Sequence, residues 1–160
     1  MSDASFAPDG SAQVTAFPPE LAGALREAGL ADAGAVIREF IESNRLICAP
    51  TDAPVIASYQ VALRLGKRVH PVISLQPPPN NPDIPFQKMR GLSWSEFGNK
   101  GSRRWIVDKL NSVVPEDDRK SYDVAEKMYK IRWSLFSEEG SGPALIEVLQ
   151  LFVDRVRQRA

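Results

Sequence analysis

The stretch that decides the predicted fold is residues 32–75, DAGAVIREFIESNRLICAPTDAPVIASYQVALRLGKRVHPVISL. Its pattern predicts a helix over 33–44, a strand over 45–49, a helix over 54–65 and a strand over 68–75. Two strands joined by a helix form a crossover unit, and such strands lie parallel in one sheet. We therefore expect an α/β fold with a small parallel sheet flanked by helices.

Local signals support these elements. Residues 46–49 are continuously apolar, which is typical of a strand covered on both faces. Pro71 removes one ladder donor from the second strand, so we expect an edge position or a bulge there. Upstream, Pro18 and Pro19 suit the first turn of a helix, and Gly29 suits its end.

Composition along the chain predicts three regions. Residues 1–16 are small and polar and are interpreted as a disordered tail, residues 17–114 as the α/β core, and residues 115–160 as a helical extension packed on that core. The extension should contain helices over 116–137 and 144–159. Residues 76–85 carry five prolines. They resemble a Pro-rich ligand for a partner domain, but we favour a stiff connection.

The overall composition argues against several classes of partner. The 160 residues contain 20 Lys and Arg and 20 Asp and Glu, so no global field would draw the chain to nucleic acid or to anionic lipid. No apolar run is long enough to span a membrane, and no signal-peptide pattern opens the chain. Cys48 is the single cysteine, which favours a reducing compartment. We expect a cytoplasmic protein.

The order of sequence pieces from residue 36 to 97 resembles a Toll/interleukin receptor (TIR) domain. Three pieces that carry the resemblance are a helix end at 41–44, a buried strand with its turn at 46–50 and a Leu-Gly-Lys helix end at 62–67. The other three are a Val-x-Pro-Val strand at 69–72, an Ile-Pro-Phe loop at 84–86 and an alternating Leu-x-Trp-x-x-Phe strand at 92–97. The family's first two strands have no clear counterpart in this chain.

The resemblance implies a flavodoxin-like, shortened TIR-like core with extra C-terminal helices. It implies a non-catalytic module for protein–protein interaction or signalling. Enzymatic members carry a glutamate near the start of the third helix, and that place falls on Ser58 here. The resemblance therefore implies loss of the usual NAD-cleaving chemistry. Because helices 116–137 and 144–159 are widely apolar, we expect a protein partner or self-association.

A nucleotide ligand is the alternative. Thr51 and Asp52 follow a predicted parallel strand and open a helix, where an open α/β sheet binds ligands. With Ser58, Tyr59 and Glu96 they could bind NAD or ADP-ribose, or hydrolyse it. Without a Gly-rich fingerprint, we favour Thr51 and Asp52 as simple helix caps, and we expect no tightly bound cofactor.

A small basic and aromatic cluster is a candidate for phosphate or nucleic acid. It comprises Lys100, Arg103, Arg104 and Trp105. Because the domain is not basic overall, we favour a solvated helix start with its tryptophan in the core, and we expect no nucleic-acid partner. His70, the single histidine, is interpreted as structural. One His and one Cys give poor support for a metal site.

Overall fold

The structure is a computed structural model, and it describes residues 17–50, 58–84, 100–121 and 129–159. These residues form the helices α1 (Pro19–Glu27), α2 (Ala31–Ser43), α3 (Lys100–Val113) and α4 (Ser141–Arg159). The strands are β1 (Ile47–Pro50), β2 (Tyr59–Leu65), β3 (Arg68–Leu75), β4 (Asp83–Ile84) and β5 (Tyr129–Lys130). Two 3-10 helices cover Glu116–Asp118 and Trp133–Ser137. The predicted tail, 1–16, lies outside the described residues.

The first two helices end in the same hydrogen-bonded cap. At the end of α1, the Leu30 amide donates to Leu25 O at 2.7 Å and the Gly29 amide donates to Arg26 O at 3.0 Å. This is the Schellman motif, and Gly29 supplies its left-handed residue with φ +75°. The predicted stop at Gly29 is confirmed. At the end of α2, Arg45 takes the same left-handed role with φ 54°, which no residue-type rule indicated.

The sheet is antiparallel throughout, so the predicted parallel sheet is wrong. The strand order is β1-β2-β3-β4-β5, and each neighbouring pair is antiparallel. β1 and β3 run in the same direction, but β2 lies between them. The helices and the sheet together make a mixed α/β fold. The flavodoxin-like arrangement has no support, because that arrangement requires parallel strands.

The error arises in residues 54–65, which were predicted to form a helix. Residues 59–65 instead form β2, a strand in which Tyr59, Val61, Leu63 and Leu65 alternate toward the core. A two-residue loop then connects Leu65 to β3, and Gly66 has φ +63° as hairpin turns require. A hairpin places its strands antiparallel and adjacent. The helix that the TIR resemblance assigns here is therefore a strand and a turn.

Two local predictions about the strands are confirmed. Pro71 lies beside a bulge, because Val61 pairs with Ile73 whereas Ala62 pairs with Pro71, leaving Val72 as the extra residue. The other prediction concerns β1, where Ile47 and Cys48 point to opposite faces and are only 3% and 5% exposed. Both faces of the sheet are therefore covered at β1.

The predicted helix 116–137 is also wrong within the described residues. The 3-10 helix Glu116–Asp118 is followed, after residues that the structure does not describe, by β5. β5 pairs with β4, so this part of the chain extends the sheet. Tyr129 is fully buried in the sheet. A helix-like spacing of apolar residues was misleading here, because strand pairing and not periodicity determines the conformation.

The 3-10 helix Trp133–Ser137 joins the sheet to the helices. Both α2 and α4 pack against it. Trp133 is 2% exposed, and its indole Nε1 donates to Gln76 O at 2.8 Å. The Ile131 amide donates to Pro82 O at 2.7 Å. These bonds hold the described part of the Pro-rich segment against the fold, as expected of a stiff connection.

One cluster of buried apolar side chains unites these elements. It draws on α1, α2, β1–β3, α3, the 3-10 helix Trp133–Ser137 and α4. The predicted core region and the predicted extension thus share a single core. Within the parts of the chain that the structure describes, no helix combines the length and apolarity needed to cross a bilayer.

The start of α4 makes a close backbone contact that predicts a sensitive position. A Cβ added at Gly142 would lie 2.4 Å from Phe136 O, which is backbone and cannot move aside cheaply. We expect Gly142→Ala to lower the free energy of unfolding by about 1–3 kcal/mol through this overlap. Urea unfolding followed by circular dichroism measures the change.

Gly23→Ala is the matched control in this experiment. The nearest atom to its added Cβ is the flexible end of Arg26, at 3.7 Å. Because alanine is the better helix former, this variant should be neutral or more stable by about 0.5–1 kcal/mol. Equal losses in both variants would contradict the close contact at Gly142.

Candidate functional site

The structure describes only some of the residues of the predicted ligand site. Thr51, Asp52 and Glu96 lie outside the described residues. Ser58 and Tyr59 are described and half-buried at the start of β2. Tyr59 pairs with Pro50 on one side and Leu75 on the other. The predicted helix that was to present both residues to a ligand is absent, because these residues enter a strand.

Tyr59 is nevertheless in a distinct environment. Burial raises the pKa of its phenol, and the negative charge of Glu20 acts in the same direction. The phenol is therefore neutral at physiological pH and available for hydrogen bonds.

The predicted basic cluster lies at the start of α3. Lys100, Arg103, Arg104 and Trp105 are all within this helix, whose backbone is described from Lys100 onward. Their side chains lie outside the described part of the structure. Whether these side chains form a phosphate site stays a prediction.

The single cysteine and the single histidine of the chain are both buried. Cys48 is 5% exposed, and burial raises the pKa of its thiol to about 12. His70 is also 5% exposed and lies opposite Leu63 on the core side of the sheet. Within the described ranges, no three His, Cys, Asp or Glu side chains group as metal ligands would.

A cluster of polar residues joins α3 to β5, and its members are Asn111, Asp118, Lys120, Tyr129 and Arg132. Arg132 binds the Asp118 carboxylate with two donors, Nε at 2.7 Å and Nη2 at 3.0 Å. Asn111 accepts from the Tyr129 hydroxyl at 2.5 Å and from the Lys120 amide at 3.0 Å. Burial and the Asp118 charge raise the pKa of Tyr129, which keeps its hydroxyl a donor. These groups satisfy one another, so the cluster is structural.

A second polar cluster joins the end of α2 to α4. Asn44 and Gln150 exchange reciprocal amide hydrogen bonds, both of 2.8 Å. Arg157 Nη2 donates to the Asn44 carbonyl at 2.7 Å, and its Nη1 donates to Asn44 Oδ1 at 3.2 Å. Asn44 is 5% exposed and fully engaged. These hydrogen bonds join the end of α2 to α4.

Among the described residues, one feature that could receive a ligand is a groove between α1 and α2. Its volume is about 190 Å³. Phe17, Ala22, Leu25 and Arg26 line one side, and Ala31, Gly34, Ala35 and Arg38 line the other. We call this the α1–α2 groove. The lining residues of α2 lie at helical spacing on one face, and small side chains at most of these positions leave the concavity open.

Close packing beneath the groove fixes its shape. Leu25 is 1% exposed and forms part of the buried core. A Cβ added at Gly34 would lie 2.9 Å from Leu25 Cδ1, so glycine lets the two helices approach closely at this point. The floor of the groove is thus apolar and backed by the core.

The rim of the groove is positively charged. Arg26 and Arg38 are both exposed, and among the described residues they are the ionisable side chains of the lining. Arg26 lies in the last turn of α1, where a cation is favourable. A guanidinium offers five donors in a fork that matches carboxylate and phosphate oxygens. The groove therefore combines an apolar floor with two anion-binding groups.

Sequence reasoning missed this groove. The signal was present as alanines and glycine at helical spacing on 31–38, together with an arginine on each helix. Only the approach of α1 to α2 shows that these surfaces face one another. No family model matches the chain, and neither a curated protein nor a solved structure shows significant similarity to it.

The buried position of Cys48 predicts an unreactive thiol. With a pKa of about 12, its thiolate fraction at pH 8 is about a thousandfold below that of an ordinary cysteine. We expect labelling by a disulfide reagent at pH 8 to be at least about a thousandfold slower in the folded protein than in guanidinium. Rapid labelling with unchanged circular dichroism would contradict the buried placement.

Proposed function

We propose that this protein is a non-catalytic interaction module that binds a partner's acidic peptide segment in the α1–α2 groove. The proposal rests on one observation, an apolar groove whose ionisable lining residues, among those that the structure describes, are Arg26 and Arg38. The groove is positioned by helix packing and needs no other ligand to form. A segment with one apolar side chain between carboxylates has the complementary chemistry.

The size of the groove supports a peptide side chain as the occupant. Sites for drug-sized ligands have volumes of about 300–1,000 Å³. A cavity of about 150 Å³ accommodates benzene. The groove, at about 190 Å³, therefore suits one large apolar side chain. A dinucleotide would lie mostly outside it.

The chemistry of the lining supports binding over catalysis. Arginine keeps its proton at all physiological pH values, so it serves poorly as a general base. The other described lining residues are Phe, Leu, Ala and Gly, which provide neither a nucleophile nor an acid. An occupant would meet apolar contact and two fixed positive charges. This arrangement favours recognition of carboxylates.

The proposal retains the interaction function that the TIR resemblance implies, but it places the contact elsewhere. The predicted parallel strand directed attention to Thr51 and Asp52 at its carboxyl end. The groove lies on the helical side and depends on none of the residues quoted for the resemblance. Self-association through the groove is disfavoured, because a two-fold dimer across it would bring four guanidinium groups together.

Peptide binding tests the proposal. The probe is a labelled heptapeptide with a central phenylalanine between two pairs of glutamates, and fluorescence anisotropy measures its Kd. We expect the double variant Arg26→Glu, Arg38→Glu to weaken binding at least about tenfold, equal to about 1.4 kcal/mol. Binding should also weaken as salt is raised, because exposed charges are screened.

Two controls sharpen this experiment. Arg68→Glu makes the same charge change at an exposed position in β3, and it should leave the Kd within about twofold. A peptide with alanine in place of phenylalanine should bind more weakly, because the apolar floor loses its occupant. Equal loss in the Arg68 variant would show that general charge, and not the groove, holds the peptide.

The alternative proposal is nucleotide binding near Ser58 and Tyr59. Thermal unfolding with NAD, ADP-ribose and ATP tests it. A ligand at a hundredfold excess over its Kd adds about 2.7 kcal/mol to stability. A rise in melting temperature that Tyr59→Phe reduces, and that the Arg26, Arg38 double variant leaves unchanged, would favour the nucleotide over the peptide.

A further inference from the structure

The N-terminal end of the described chain lies in the groove itself. Phe17 is the first described residue, and its side chain is part of the groove lining. Sixteen residues precede it.

The sequence before Phe17 has the chemistry that the groove selects. Residues 3–9 read DASFAPD, with Phe6 centred between Asp3 and Asp9. Residues 1–16 contain no lysine or arginine. The segment thus presents one large apolar side chain flanked by two carboxylates, which complements an apolar floor flanked by Arg26 and Arg38.

We propose that residues 3–9 occupy the α1–α2 groove and compete with the partner's acidic peptide. This inference rests on the proposed function, since both occupants use the same two arginines and the same apolar floor. It makes the N-terminal segment an intramolecular regulator of the binding site. A partner then gains access only when the segment leaves.

The geometry of the chain permits this contact. Phe6 precedes Phe17 by 11 residues, and a chain of that length can span up to about 36–40 Å. Closing a flexible loop costs little more as it lengthens. A short tether also provides an effective concentration in the millimolar range. A weak contact between Phe6 and the groove is therefore enough to keep the groove mostly occupied.

Competition has a defined consequence for affinity. The apparent Kd of a partner equals its intrinsic Kd divided by the fraction of molecules with an open groove. If the segment occupies the groove in about nine molecules of ten, removing its contacts tightens partner binding about tenfold. The effect requires Arg26 and Arg38, because they hold both occupants.

Substitution within the full chain tests the inference. The tail variant carries Asp3→Asn, Phe6→Ala and Asp9→Asn. The matched control carries Ser2→Ala, Ser11→Ala and Gln13→Ala, which change the same region outside residues 3–9. We expect the tail variant to bind the glutamate–phenylalanine heptapeptide about five- to tenfold more tightly than the unmodified chain. The control should match the unmodified chain.

An NMR measurement adds a direct readout. The amide signals of Gly34 and Ala35 should move between the unmodified chain and the tail variant, because the groove empties. They should stay in place in the control variant. The amide of Gly66, in the hairpin loop between β2 and β3, serves as an internal reference and should not shift.

The outcomes separate the two proposals. Tighter peptide binding with shifted Gly34 and Ala35 signals supports the inference. Equal peptide affinity in all three chains overturns the inference and leaves the proposed function standing. Failure of the heptapeptide to bind even the tail variant overturns both, because the groove then accepts neither occupant.

Discussion

The helical side of this protein depends on burial of the 3-10 helix Trp133–Ser137. Its Trp133 is nearly inaccessible and donates its indole proton to Gln76 O. Both α2 and α4 pack on this short helix, and the backbone of Phe136 approaches Gly142 closely. A buried tryptophan with a satisfied N–H contributes apolar area without leaving a polar group unpaired. The sheet and helices are thereby held in one orientation.

The antiparallel sheet changes where a ligand can bind. In a parallel sheet the carboxyl ends of all strands meet at one edge, and a crevice there collects ligands. Here β2 runs opposite to β1 and β3, so neighbouring strands end at opposite edges. The crevice predicted beside Asp52 loses its structural basis. The concave surface arises instead where α1 and α2 cross.

The proposed function places recognition in a local charge pattern, because the net charge of the chain is zero. A neutral protein has no long-range field that selects partners. Two arginines beside an apolar floor can still distinguish an acidic segment from a basic one over a few ångströms. In the proposed competition, a segment tethered to the groove benefits from the same short range.

The sequence alone determined the elements whose signals are local. The apolar spacing of 33–41 and 145–156 predicted α2 and α4, because helical periodicity there meets no competing pattern. The end of α1 followed from Gly29, and the bounds of β3 agreed with the prediction. The irregularity at Pro71 was also predicted, because proline lacks the ladder donor.

Tertiary structure alone decided the rest. Ile56, Tyr59 and Leu63 fit a helical face, whereas Tyr59, Val61, Leu63 and Leu65 fit a strand, and pairing with β1 and β3 selected the strand. The groove combines residues of two helices, so no single periodicity reveals it. Local patterns can be read from the sequence because they involve residues close together in the chain. Contacts between distant segments form only when the core packs.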